Sequence, residues 1–155
     1  MTATERQLVV FSLDGEECAL PITAVREIIR YVRPRATATA SGVIKGMISV
    51  RGRTLPVVEV ARRLGRELEP SRRSRILVIE VSNGSLGVIV DAVDGIVHVP
   101  GEWIESLPAA ADKSLGDEIA VVGDRLIVLI DAERAFGDLL LGRPGGRPRA
   151  SRRSS

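Results

Sequence analysis

Residues 76–90, ILVIEVSNGSLGVIV, decide the fold class of this chain. Two short aliphatic runs flank Asn83-Gly84, a dipeptide that strongly favours a tight hairpin turn. Short runs that are rich in β-branched residues favour strands over helices. This stretch therefore predicts an antiparallel β-hairpin, the clearest one in the chain.

The same arrangement of two aliphatic runs around a turn occurs three more times. The runs lie at residues 8–13 before Asp14-Gly15, at residues 47–60 around Arg51-Gly52, and at residues 119–130 around Gly123-Asp124. Aromatic residues make up only 3% of the chain, so Val, Ile, Leu and Ala must form the core. Many short strands at even spacing are typical of a β-barrel or a β-sandwich.

Three short helices and two loops are predicted between these hairpins. Val25, Ile28 and Ile29 lie on one face of a first helix that follows Pro21. A second helix covers residues 61–64 and stops at a glycine, and a third carries the apolar stripe 132, 135, 136, 139 and 140. Residues 66–75 and 100–118 are predicted to be loops because they mix charged residues with Pro or Gly.

The chain contains an internal repeat. Residues 24–28 (AVREI) align with residues 92–96 (AVDGI) at an offset of 68, and residues 50–53 (VRGR) align with residues 122–125 (VGDR) at an offset of 72. The second alignment continues through Glu59 over Asp131. One copy alone is too small to bury much core. The repeat therefore predicts two similar small β-barrels that pack against each other.

The positive charge of the chain is concentrated at its C-terminus. The formal net charge is +2, but five arginines lie at positions 143, 147, 149, 152 and 153, and the remainder carries −3. Residues 142–155 are expected to be a disordered Arg-rich tail. The tail leaves open a nucleic-acid-binding β-barrel as an alternative, but the acidic body and the lack of stacking aromatics argue against specific binding to nucleic acid.

The residue types that carry catalysis or metal binding are scarce and scattered. His98 and Cys18 are each the only one of their kind, and Ser85 lacks the first glycine of a nucleophile elbow. No Cys/His pair has the spacing of a metal site, and no glycine-rich loop has the pattern of a phosphate cradle. The sequence predicts a protein that is not an enzyme and that needs no cofactor or metal. Without a signal peptide or a membrane-length apolar run, a cytoplasmic location is expected.

Several segments, in this order, resemble the CheW family of chemotaxis coupling proteins. Residues 8–13 and 16–21 look like the family's opening hairpin, and residues 22–29 are similar to its first helix. Residues 44–52 (IKGMISVRG) and 54–60 (TLPVVEV) resemble its signature, and residues 87–93 and 126–131 match the second half. Cys18 stands where the family often has an aromatic residue, and Ser49 replaces a common Asn.

This resemblance implies a mainly β fold of two intertwined SH3-like five-stranded β-barrels with short helices. Residues 1–6 would be a flexible N-terminus, and residues 7–141 would form the CheW-like domain. The junction between its two lobes would lie near residues 66–75, with the termini exchanged between the lobes.

The resemblance also implies an adaptor that couples chemoreceptor tips to the regulatory domain of a CheA-type histidine kinase. Other CheW-like proteins would be further partners, and the membrane would be reached only through the receptors. The implied receptor-binding residues are Val25, Glu27, Gly46, Val50 and Arg51; no kinase-binding residues are assigned. Glu27 could orient Arg51 by pairing with it, but the two could also be solvated charges that never meet.

Overall fold

A computed structural model of the protein describes residues 5–36, 43–61 and 69–140. These residues form eleven strands and one short α-helix. The strands are β1 (Glu5–Leu13), β2 (Glu16–Pro21), β3 (Val25–Arg30), β4 (Ile44–Val50), β5 (Arg53–Val58), β6 (Arg75–Val81), β7 (Gly84–Val90), β8 (Ala92–Pro100), β9 (Ile104–Ser106), β10 (Glu118–Val122) and β11 (Arg125–Leu129). Helix α1 (Ala132–Phe136) continues into a 3₁₀ turn, Gly137–Leu140.

The strands form two sheets with the same internal order. The first sheet runs β8-β1-β2-β11-β10-β9, and the second runs β3-β6-β7-β5-β4. Hairpin β1–β2 begins the first half of the chain but pairs with strands of the second half, whereas hairpin β6–β7 pairs with strands of the first half. Each half therefore contributes its opening hairpin to the sheet of the other half, and the mainly β prediction is confirmed.

The repeat offset is preserved in the backbone hydrogen bonds. The N–H of Glu59 donates to the carbonyl of Val43 over 2.9 Å, and the N–H of Asp131 donates to the carbonyl of Leu115 over 2.7 Å. Donors and acceptors of the two bonds are each separated by the offset of 72 found in the sequence. The two halves therefore share their hydrogen bonding as well as their residue pattern.

Each sheet closes because the chain that leaves one edge strand reaches the opposite edge. In the first sheet, β8 turns through Gly101–Trp103 into β9, which pairs with β10 on the far edge. In the second, Arg35 follows β3 and exchanges two backbone hydrogen bonds of 2.8 and 2.9 Å with Met47 of β4. These closures turn each sheet into a small barrel. Strand β9 lies in a segment that we predicted to be a loop, so that prediction is wrong for residues 104–106.

The described residues form a core with three parts. One lies inside each barrel, and the third lies between the barrels and includes Phe11 and Phe136. Strand β6 contributes to two of them, because Leu77 and Ile79 face the shared core and Ile76 faces the interior of the second barrel. A strand that is buried on both faces needs a nearly continuous apolar run, which explains the sequence of β6.

The predicted first helix is wrong. Residues Ile22–Ala24 form a single 3₁₀ turn, and Val25–Arg30 are strand β3, which pairs antiparallel with β6. The bulge between Val25 and Glu27 interrupts the alternation of the strand, and the sequence therefore resembles a helical stripe. Pairing with a neighbouring strand outweighs such a weak local pattern.

The third helix is confirmed, and its start is fixed by a side chain. Asp131 caps α1 by accepting a hydrogen bond from the N–H of Arg134 over 3.1 Å.

The second predicted helix and the Arg-rich tail lie almost entirely outside the described residues. Strand β1 begins at Glu5, so Glu5 and Arg6 belong to the first sheet rather than to a flexible N-terminus.

Candidate functional site

Arg51 and Glu27 form a two-pronged ion pair at the mouth of the second barrel. Nε of Arg51 lies 3.2 Å from Oε1 of Glu27, and Nη2 lies 2.8 Å from Oε2. The Arg51 side chain is 76% exposed, whereas that of Glu27 is 25% exposed. Glu27 therefore holds one side of a guanidinium that otherwise projects into solvent. Of the two alternatives that the sequence left open, the pairing is present and the two charges that never meet are wrong.

The backbone of Arg51 has an uncommon conformation. Arg51 and Gly52 have φ angles of 50° and 81° and form the two-residue turn between β4 and β5. Such turns favour Asn or Asp before Gly, as in Asp14-Gly15, because most L-residues are strained at positive φ. An arginine in this place accepts backbone strain and gains a fixed, outward position for its charge.

The electrostatics of this pair favour a permanent positive charge at the hairpin tip. The hydrogen bond to Glu27, reinforced by its negative charge, raises the pKa of Arg51. The guanidinium is therefore ionised at every physiological pH. Its planar array of donors can bind a carboxylate or a carbonyl of a partner in a defined orientation.

The two valines of the predicted site flank this pair in different surroundings. Val50 directly precedes Arg51 and packs, partly buried, against the interior core of the second barrel. Val25 begins β3 beside Glu27 and packs, partly buried, against the core that the two barrels share. The exposed Ile28, next to Glu27 on β3, adds apolar surface nearby.

Gly46 belongs to the closure of the second barrel. A Cβ at this position would collide with the carbonyl oxygen of Arg35 and lie 2.8 Å from its carbonyl carbon. The backbone of Arg35 therefore approaches Gly46 too closely for a side chain, and Gly46 does not have a positive φ. Because a strand rises about 3.3 Å per residue, Gly46 lies ~13 Å along β4 from Val50. Gly46 therefore shapes the strand that carries the site and does not contact the ion pair.

Two further ion pairs were not predicted from the sequence. Glu59 is 1% exposed, and its Oε1 lies 3.1 Å from Nζ of Lys45 at the start of β4. On the first barrel, Arg125 binds Glu17, with Nε 3.0 Å from Oε1, and this hydrogen bond lowers the pKa of Glu17. For the second pair the sequence contains one signal, the repeat, which aligns Arg125 with Arg53 in the matching hairpin.

The groups that could support catalysis are kept apart. Burial, assisted by the charges of Glu16 and Glu17, raises the pKa of Cys18 to about 12. Ser85 is buried and its Oγ lies 3.2 Å from Oε2 of Glu80, which also binds Arg26. Among the described residues, no group of three His, Cys, Asp or Glu side chains is arranged to hold a metal ion.

No helix in the described part of the chain combines the length and the apolar character that crossing a membrane would need. The longest α-helix among the residues that the structure describes is α1, with five residues.

Comparisons with known proteins agree on one family. The family model for the CheW-like domain matches residues 7–139. The probable chemotaxis protein CheW of Rhizobium etli is 30% identical over 138 residues, which cover 86% of this chain and 89% of that protein. The chemotaxis protein CheW of Bacillus subtilis is 30% identical over 133 residues, which cover 83% and 85% of the two chains.

A solved structure has the same fold. The scaffolding protein TtCheW from Thermoanaerobacter tengcongensis superposes with a TM-score of 0.76 at 30% identity, covering 83% of this chain and 90% of that one. The double-barrel architecture, the repeat and the sequence match therefore lead to one conclusion: the chain belongs to the CheW family.

Proposed function

We propose that this protein is a chemotaxis adaptor that couples chemoreceptor signalling tips to a CheA-type histidine kinase. It performs no chemistry and needs no cofactor, and it works in the cytoplasm, recruited to receptor arrays at the membrane. Membership of the CheW family supports the adaptor role. The observation that carries the receptor contact is the exposed guanidinium of Arg51, which Glu27 orients at the tip of hairpin β4–β5.

The receptor surface consists of a fixed charge beside apolar side chains. Glu27 occupies Nε and Nη2 of Arg51, while Nη1 bonds to none of the residues that the structure describes. That nitrogen is available to a carboxylate or a helix C-terminal carbonyl of the receptor tip. Val25 and Val50 provide partly buried apolar area on either side, and complete burial of a valine contributes about 1.5–3 kcal/mol.

The kinase surface lies on the other barrel. Ile96, Trp103 and Leu126 are 54%, 44% and 59% exposed, and all three belong to the first sheet or to the turn that follows β8. Exposed aromatic and aliphatic side chains on a small domain are typical of protein interfaces. Receptor and kinase would then bind different barrels of one adaptor.

Signal transmission through such an adaptor depends on a fixed geometry between the two surfaces. The shared core contains side chains of both sheets together with Ala135 and Phe136 of α1. A close-packed core of this kind resists deformation, so a displacement at one barrel is carried to the other. The adaptor would thereby control where the kinase lies relative to the receptor.

The experiment that tests this function is co-sedimentation of the purified protein with receptor signalling fragments and the CheA-type kinase of the same cell. Kinase should sediment with receptor only when the protein is present. Arg51→Ala should abolish sedimentation with receptor and retain kinase binding, whereas Leu126→Ser should do the reverse. If wild-type protein binds neither partner, the adaptor function is wrong. If both variants lose both partners in the folded state, the assignment of the contacts to separate barrels is wrong.

A further inference from the structure

A second polar site lies at the far end of strand β3, away from hairpin β4–β5. A cavity of about 370 Å³ is lined by Arg30, Tyr31, Ser71, Arg72, Ser74 and Arg75. Three of these six side chains carry guanidinium groups, three carry hydroxyls, and none is a carboxylate. The volume lies within the range of small-molecule sites and exceeds what a single inorganic phosphate needs.

The arginines are brought together by strand pairing. Arg30 is the last residue of β3 and lies directly opposite Arg75, the first residue of β6. Like charges in such a cross-strand pair repel each other and destabilise the sheet. Arg72 adds a third positive charge from the preceding turn. An anion between the three would remove this repulsion.

The turn that carries Arg72 is held in one conformation by its own hydrogen bonds. Ser74 is 1% exposed, and its Oγ accepts the N–H of Ser71 over 2.9 Å. The N–H of Ser74 donates to the carbonyl of Ser71 over 3.1 Å. Nη1 of Arg75 donates to the carbonyls of Arg72 and Ser74 over 2.9 and 2.8 Å. The site is therefore largely ordered before a ligand arrives, which lowers the entropic cost of binding.

No carboxylate neutralises these arginines within residues 5–36, 43–61 and 69–140. Arg26, on the same strand as Arg30, binds Glu80, but Arg30, Arg72 and Arg75 have no carboxylate partner within these residues.

The barrel that surrounds the site also carries a net positive charge. Its described residues, 22–36, 43–61 and 69–90, contain ten basic and four acidic side chains, whereas residues 5–21 and 91–140 contain four and fifteen. This asymmetry attracts anions to the second barrel.

The geometry points to a binding site for a phosphate ester, held by the guanidinium groups of Arg30, Arg72 and Arg75. Guanidinium binds phosphate oxygens in pairs, and the hydroxyls of Ser71 and Tyr31 can donate to further oxygens. The site lies on the barrel that carries Arg51 but uses none of the residues proposed to contact receptor or kinase. It is therefore independent of the proposed function.

The test is calorimetric titration of the full chain with pyrophosphate and with metal-free ATP at constant ionic strength. A parallel sedimentation assay uses vesicles of phosphatidylglycerol, with phosphatidylcholine vesicles as the neutral reference. Arg72→Gln and Arg30→Gln should each weaken binding by on the order of tenfold. Arg53→Gln is the matched control, because it removes the same charge from an exposed position of the same barrel.

Saturable binding that both site variants weaken and Arg53→Gln leaves unchanged would support the site. Binding of ATP in the calorimetric arm identifies a soluble phosphate ester as the ligand, and binding confined to phosphatidylglycerol vesicles identifies a lipid headgroup. Equal loss in all three variants would overturn the proposal, since it would indicate general charge attraction. Absence of binding in both arms would also overturn it. Retained thermal unfolding of each variant excludes misfolding as the cause.

Discussion

Arg51 and Glu27 join parts of the second sheet that lie at its opposite edges. Glu27 is on edge strand β3, and Arg51 directly follows edge strand β4, yet Nη2 of Arg51 lies 2.8 Å from Oε2 of Glu27. The two can meet only because the sheet curls until its edges approach, as the hydrogen bonds between Arg35 and Met47 also require. The ion pair is therefore a product of barrel closure.

Replacing Arg51 separates binding from stability. Arg51→Ala should leave thermal unfolding almost unchanged, because the pair is exposed and solvent screens it. The amount of this variant that sediments with receptor should fall at least tenfold, since alanine removes the guanidinium whose Nη1 is proposed to face the receptor. Circular dichroism melting and receptor co-sedimentation, measured on the same samples, test both statements.

A glycine at the same position is the sharper control. Arg51→Gly should unfold at the same temperature as Arg51→Ala or higher, because glycine adopts the φ of 50° without strain. It should bind receptor as poorly as Arg51→Ala. Retained receptor binding in Arg51→Gly would mean that the conformation of the turn, rather than the charge, is recognised. The Arg51 hypothesis would then be wrong.

Gly46 should be intolerant of any side chain. Gly46→Ala places a methyl group against the carbonyl of Arg35, and neither backbone can move without opening the barrel. We expect a loss of about 1–3 kcal/mol in the free energy of unfolding, measured by urea denaturation. Ser49→Ala, at an exposed position of the same strand, should change it by less than about 0.5 kcal/mol. Equal stabilities for the two variants would show that the contact with Arg35 does not hold the barrel closed.

The hairpins were predictable because their signals are local. Alternation and turn residues act within a few positions, and all four predicted hairpins are present as β1–β2, β4–β5, β6–β7 and β10–β11. The segment at Val25–Arg30 was not predictable in the same way. Its partner, β6, is far along the chain, and the pairing energy that makes it a strand is absent from any local window.

The functional residues also differ in whether local sequence signals could predict them. The exposure of Arg51 follows from its position in a turn. The resemblance to the CheW family assigned Glu27 and Arg51 to the same predicted site. The three arginines of the phosphate-ester site escaped notice because Arg30 and Arg75 become neighbours only through the pairing of β3 with β6. In the sequence, residues 66–75 read as a charged loop.

Phe136 should be the most important apolar side chain for the joint between the barrels. It is 1% exposed and packs in the core that both sheets share. Phe136→Ala should lower the free energy of unfolding by about 3–5 kcal/mol in urea denaturation. Leu126→Ala, which removes a 59% exposed side chain, should cost less than about 0.5 kcal/mol. A small effect of Phe136→Ala would mean that α1 is not part of the shared core in solution.

The reactivity of Cys18 provides a measure of how tightly the core between the two barrels is packed. The thiol is 5% exposed, and burial raises its pKa to about 12, so about one thiol in ten thousand is ionised at pH 8. Because only the thiolate reacts, alkylation by iodoacetamide should be very slow at pH 8 in the folded protein and fast in urea. The rate in the folded state should keep rising with pH beyond 9. A rate that levels off near pH 9 would instead indicate an ordinary, solvent-accessible thiol, and the burial of Cys18 in the core between the barrels would then be wrong.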